Sequence, residues 1–138
     1  METKQVIVFR KDLLKGEHGI RKGKFGGQVA HASTQALLQA FHKTFDENGT
    51  NTYLLTFDKG SVLDEWLNGL YTKVVVSVNS EAELMAIKEC CDAVGLPNAL
   101  ITDAGKTEFN GVPTVTCLGI GPCLAEDVDK ITGGLPLL

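Results

Sequence analysis

"NALITDAGKTEFNGVPTVTCLGIGP", residues 98–122, decides the fold. A strand-like run over 98–102 is separated from another beginning at Thr114 by eleven residues, 103–113, without helical periodicity. Parallel neighbours need a crossover of a dozen residues or more, usually a helix, whereas antiparallel neighbours need only a hairpin-like link. The two runs are therefore expected to pair antiparallel. Upstream, "KQVIVFR" (4–10) and "TKVVVSV" (72–78) are rich in β-branched residues and bounded by charge, so each reads as a buried strand.

Helical patterns fill the intervals. From Lys22 to about Phe45, Val29, Ser33, Ala36 and Ala40 recur at three- and four-residue spacing, with Leu37 and Phe41 beside them, which predicts a long first helix. "ENGT" (47–50) reads as a turn, and "TYLLTF" (52–57) as an extra strand or a packed loop. Ser61 is placed to cap a short helix, with Asp64 and Glu65 near its positive end. Ser80 and Glu83 have capping-box spacing at the head of another helix, which Gly95 stops. "GIGP" (119–122) reads as a tight glycine-rich turn into a last helix over "LAEDVDKITGG". The expectation is an α/β three-layer sandwich: one domain, 1–138, with a four-stranded mixed sheet and helices on both faces.

Composition limits the function. A chain of 138 residues with 43% apolar and 22% charged residues is long enough for one proper core. Its apolar runs are too short to span a bilayer, and "METKQVIVF" has no signal-peptide architecture, so a cytoplasmic protein without a membrane partner is expected. "NGT" (48–50) matches a glycosylation sequon that is idle without secretion. Cysteines at 90, 91, 117 and 123 form no C-x-x-C pair, and adjacent helical cysteines diverge. They read as buried free thiols, and no metal is expected. The net charge is −4, yet residues 1–24 carry seven Lys/Arg against three acids, while 25–138 carry six against fourteen. An acidic protein with one basic face can still attract phosphates there.

That basic segment ends in "RKGKFGGQVAHAS" (21–33). It is not a magnesium-nucleotide loop of the G-x-x-x-x-G-K-[ST] type, because three residues separate Gly19 from Gly23 and Phe25 follows Lys24. No G-x-G-x-x-G is present either. What remains is a basic loop feeding a helix N-terminus, whose free N–H groups and dipole favour an anion. Lys24, Gln28 and His31 fall on one face of that helix, with Gly26, Gly27 and Ala30 keeping it slim. His31, among small residues, is expected to be buried and to orient its neighbours. "TDAGKT" (102–107) places Asp103 and Thr107 where a strand runs out, a usual location for active residues in open sheets. With no nucleophilic serine or cysteine constellation, an activated water is the natural agent. Asp103 would position or deprotonate it, and Lys24 would neutralise developing charge. The residues alone thus lead to a hydrolase or anion-binding domain for a phosphate-bearing ligand.

Four blocks in order, "KGKFGGQVAHAS", "TDAGKTEF", "TVTCLGIGP" and "DKITGGLPLL", resemble the type 2 peptidyl-tRNA hydrolases over essentially the whole chain. The resemblance implies cleavage of the ester between a peptide and the 3′ ribose of tRNA, without metal or organic cofactor. Carried onto this chain, it matches the family's essential lysine with Lys24, its glutamine with Gln28, its histidine with His31, its aspartate with Asp103 and its threonine with Thr107. Lys15, Arg21 and Lys22 would then grip tRNA phosphates, with Gly105, Gly119 and Gly121 lining the substrate site. A homodimer is common in the family. Phe25, Gly26 and Gly27 depart from its usual small apolar residues, the stretch at about 45–60 is longer and more polar, and "EFNGVP" replaces its usual spacer. Two rivals stay open: a hydrolase of another acylated or phosphate-bearing small substrate, and a binding module of the same fold.

Overall fold

The computed structural model describes residues 1–16 and 19–138. Glu17 and His18, within the basic connection expected to meet phosphates, lie outside the described residues. Strand β1 (Thr3–Arg10) is followed by a short 3-10 turn (Lys11–Leu14) and helix α1 (Lys22–Leu38). Strands β2 (His42–Phe45) and β3 (Asn51–Leu54) lead to helix α2 (Val62–Leu67) and strand β4 (Lys73–Val78). Helix α3 (Glu81–Val94), strands β5 (Asn98–Asp103) and β6 (Thr114–Leu124), and helix α4 (Ala125–Thr132) complete the chain.

The main sheet has the order β4-β1-β6-β5. β1 pairs parallel with β4 through a connection that carries helices, while β6 pairs antiparallel with both β1 and β5. The helix-free link at 103–113 thus joins antiparallel neighbours, as its length requires. β1 alternates between two cores: Val6 and Val8 pack with Leu84, Cys91 and Val128, whereas Ile7 and Phe9 pack with Ala32, Ile101 and Cys117. A strand buried on both faces reads as a continuous apolar run because each face has its own helix layer. One layer carries α1, the other α3 and α4.

Two expectations are corrected. The first helix ends at Leu38 rather than near Phe45, and "HKTF" instead pairs antiparallel with "NTYL" as a separate two-stranded ribbon. The "DENGT" link closes it: Asp46 accepts from the Asn48 N–H through Oδ1 and from the Gly49 N–H through its carbonyl. Such side-chain-to-backbone bonding is the ordinary chemistry of an Asx turn, and it offers the chain an alternative to helix. The second correction concerns "GIGP", which is not a turn. β6 continues through it to Leu124 and passes straight into α4.

The two glycines there serve packing. A Cβ at Gly119 would lie 2.3 Å from the Ala32 carbonyl oxygen and 3.1 Å from the Ala36 Cβ. Only glycine lets α1 sit this close to β6. Gly121 has φ 91° and a similarly tight fit against the Lys4 carbonyl oxygen. Gly119 lies in the ladder between Ile7 and Ala99, and the Gly121 N–H donates to the Pro97 carbonyl at 2.8 Å. A buried polar clamp adds to the docking of α1: Gln5 Nε2 on β1 donates to the Ser33 carbonyl at 3.0 Å, and Ser33 Oγ donates to Gln5 Oε1 at 2.6 Å.

The far edge of the sheet is also tied. The Ser77 N–H donates to the Pro136 carbonyl and the Leu138 N–H to the Val75 carbonyl, so the segment after α4 lies along β4. The opposite edge strand, β5, has no such cover among the described residues.

Candidate active site

Lys24 lies in the first turn of α1, and Gln28 one turn on. Asp103 is the last residue of β5, and Thr107 lies in the loop beyond it. Docking α1 against β6 through Gly119 brings these four together. Lys24 Nζ donates to Asp103 Oδ1 at 2.6 Å and to Thr107 Oγ1 at 3.0 Å. Gln28 Nε2 donates to the same Oδ1 at 3.3 Å, and the Gly105 N–H donates to Oδ2 at 2.8 Å. The charged side chains are mostly shielded, with 17% of Lys24 and 12% of Asp103 exposed.

These donors set the charge of the site. The Lys24 hydrogen bond holds the Asp103 carboxyl below its ordinary value of 3.8, against a smaller opposing effect of burial. The Gly105 N–H and the nearby charges of Lys24 and His31 act in the same direction. Asp103 is therefore an anion at neutral pH. It suits orienting a water or stabilising positive charge better than taking a proton outright.

A residue not singled out from sequence completes the arrangement. The β5–β6 register steps from Ile101 opposite Cys117 to Thr102 opposite Val115, leaving Thr116 as the extra residue of a β-bulge. Cys117 packs in the α1-side core, and Thr116 too reaches toward α1. Its buried hydroxyl donates to Gln28 Oε1 at 2.7 Å. Because Oε1 is thereby the acceptor end, the Gln28 amide is fixed with Nε2 toward Asp103. Sequence alternation cannot reveal this, since a bulge exists only in the pairing. Thr116→Val keeps the shape and removes the donor. We expect it to lower kcat about tenfold with little change in KM, as measured on the folded variant.

The other expected residues are placed less uniformly. His31 is exposed rather than buried, on the α1 face that it shares with Gln35 and Gln39 along an open cleft. Gly105 is buried with φ 79°, and a Cβ there would lie 2.4 Å from the Val112 carbonyl oxygen. Its N–H serves Asp103 rather than standing free. Lys15, Arg21 and Lys22 are exposed, and Arg21 Nε donates to Glu108 Oε1 at 3.0 Å. Phe109 and Asn110 both have positive φ, at 67° and 53°. The loop that carries Thr107 is thus held in a costly conformation, as loops at functional sites often are.

The cysteines are only partly as expected. Cys91, Cys117 and Cys123 are buried, with burial pushing each thiol up to about 11, but Cys90 is exposed. Among the described residues no three His, Cys, Asp or Glu side chains converge as metal ligands do. No helix among them is long and apolar enough to cross a membrane.

An anionic carboxylate held by an ammonium, an amide and a backbone N–H, with a hydroxyl that accepts from the same ammonium, makes a compact polar site on an α/β sandwich. The chain belongs to the peptidyl-tRNA hydrolase PTH2 family, whose model matches residues 3–138. It is 41% identical to the peptidyl-tRNA hydrolase of Methanopyrus kandleri, over 98% of this chain and 97% of that one. It is also 36% identical to that of Thermoplasma acidophilum and 41% to that of Sulfurisphaera tokodaii, each over the full length of both chains. A solved structure of a protein of unknown function from Agrobacterium, 13% identical, matches with a TM-score of 0.51 over 100% of this chain and 98% of that one. That likeness concerns the fold alone.

Proposed function

We propose that the protein hydrolyses the ester joining a peptide to the 3′ ribose of tRNA, with Lys24, Asp103, Gln28 and Thr107 as its working residues. The observation that carries the assignment of residues is hydrogen-bond arithmetic at Lys24. An ammonium has three N–H donors, and two are committed to Asp103 and Thr107. The third is free for the ester carbonyl oxygen, where negative charge develops as water adds. Asp103 Oδ2 has a lone pair left beyond its bond from Gly105 and can hold that water. Thr107 Oγ1 accepts from Lys24, so its own hydrogen can bond to the departing ribose oxygen while that oxygen takes up the proton released by the added water.

The start of α1 supports a polyanionic substrate. Arg21, the N-cap residue, makes no side-chain cap, and the first turn holds Lys22 and Lys24 without an acid. Cations at the positive end of a helix are unfavourable unless an anion joins them. Together with the exposed Lys15 this end of the molecule would receive tRNA phosphates, and the acidic remainder would not.

The test is release of N-acetyl amino acid from charged tRNA by the wild-type protein, with chelator present. Turnover that uncharged tRNA inhibits is expected. Turnover on simple acyl esters with no inhibition by tRNA would replace the reading with a small-substrate hydrolase. Binding of tRNA without turnover would replace it with a binding module.

A further inference from the structure

Beside the site, a cleft of about 380 Å³ runs between α1 and β5. Its α1 wall is His31, Gln35 and Gln39, at successive four-residue steps. Its other wall is Ala99, Leu100, Ile101 and Thr102. Side chains of successive strand residues point to opposite faces. Four consecutive residues can line one cleft only where it opens on the strand's backbone edge. β5 is the terminal strand of the sheet, so that edge offers N–H and C=O groups that no neighbouring strand takes up among the described residues.

The cleft and the basic end differ in charge. None of the seven lining residues is Lys, Arg, Asp or Glu. Amide side chains and a strand edge suit the neutral, alternating donors and acceptors of a peptide backbone, not a phosphate chain. The substrate itself has two limbs of this kind, a polyanion and a peptide, joined at the scissile ester. The cleft is also continuous with the site, since Thr102 precedes Asp103 in β5 and His31 follows Gln28 along α1.

We propose that this cleft is the peptide subsite: the last three or four residues of the peptidyl chain lie extended against the open edge of β5, under Gln35 and Gln39. The proposal rests on the hydrolase reading above. The lengths agree. From His31 to Gln39 the helix rises about 12 Å, and four extended residues span about 13 Å.

The experiment compares tRNA carrying N-acetylated chains of one, two, three, four and six residues. With the wild-type protein, kcat/KM is expected to rise about tenfold between one and four residues, through backbone hydrogen bonds, and then level off. N-methylation of the penultimate amide should remove most of that gain. Gln35→Trp, which fills the cleft, should bring the ratio of four-residue to one-residue substrate close to unity while inhibition by uncharged tRNA stays within about twofold. If the substitution disturbs folding, the length series and the N-methylated substrate carry the test on the wild-type protein. Equal kcat/KM at every length, with the protein active, would overturn the subsite and leave the hydrolase reading intact. Loss of inhibition by uncharged tRNA in folded Gln35→Trp would give the cleft to nucleic acid and also overturn it. Failure to hydrolyse any of the substrates would remove both.

Discussion

With Lys24 replaced by methionine, kcat on N-acetyl-aminoacyl-tRNA is expected to fall by about two to three orders of magnitude, with KM changed by less than about threefold. Methionine keeps the length of the side chain and its packing against α1 but removes all three N–H donors. One of them is the group assigned to the developing oxyanion, an interaction stronger in the transition state than with the bound ester. The loss should therefore fall on kcat. If Lys24 served only to attract tRNA phosphates, the opposite split would appear: raised KM and near-normal kcat, most strongly at low salt. That result would sink its catalytic assignment. Circular dichroism and a thermal melt must accompany the kinetics, because the substitution leaves the shielded Asp103 with only Gln28 and Gly105 as donors.

Asp103→Asn is expected to cost about two to three orders of magnitude in kcat as well, and it tests a different part of the site. Aspartate presents an acceptor to every donor around it: Oδ1 to Lys24 and Gln28, Oδ2 to Gly105. Asparagine presents an acceptor on one side only. Its amide nitrogen must face either the Gly105 N–H or the Lys24–Gln28 pair, and a water can no longer be held by a charged oxygen.

The same carboxylate gives a pH signature. Its folded-state pKa lies below the unfolded value, so the stability it contributes is present above about pH 4 and lost as pH falls through its lowered value. In Asp103→Asn that part of the acid-side loss should be missing from urea midpoints measured between pH 5 and the acid limit. Wild-type kcat should also show no protonation step from this group at or above the ordinary carboxylate range. A carboxylate-like step near neutrality that vanishes in the variant would contradict an anionic, water-holding Asp103.

How much was legible depends on whether the signal was local. α3 announced itself through Ser80, whose Oγ accepts from the Glu83 N–H, and through Gly95, which ends the helix in the left-handed conformation. The capping of α2 by Ser61 was equally readable. The antiparallel joining of β5 and β6 followed from the length of their link. Lys24 and Gln28 on one face of α1 needed only helical spacing. Pairing, by contrast, is non-local. "HKTF" and "NTYL" are exposed throughout, so neither shows the alternation that marks a half-buried strand, and helical spacing carried the first helix too far. Gly119 and Gly121 carry the composition of a turn but sit inside a strand, where the demand for glycine comes from α1 above and β1 beside them. Thr116 was silent for a related reason: its aim is set by a bulge that only the partner strand defines.

The segment Pro136–Leu138 along β4 has a consequence for assembly. A sheet grows by strand addition at its two ends, and here one end is occupied by the chain's own backbone. Two copies related by a two-fold axis could merge their main sheets only β5 to β5. That arrangement would close the cleft beside Asp103 in both copies at once. On the peptide-subsite reading, a copy joined edge to edge through β5 would therefore be shut to its substrate.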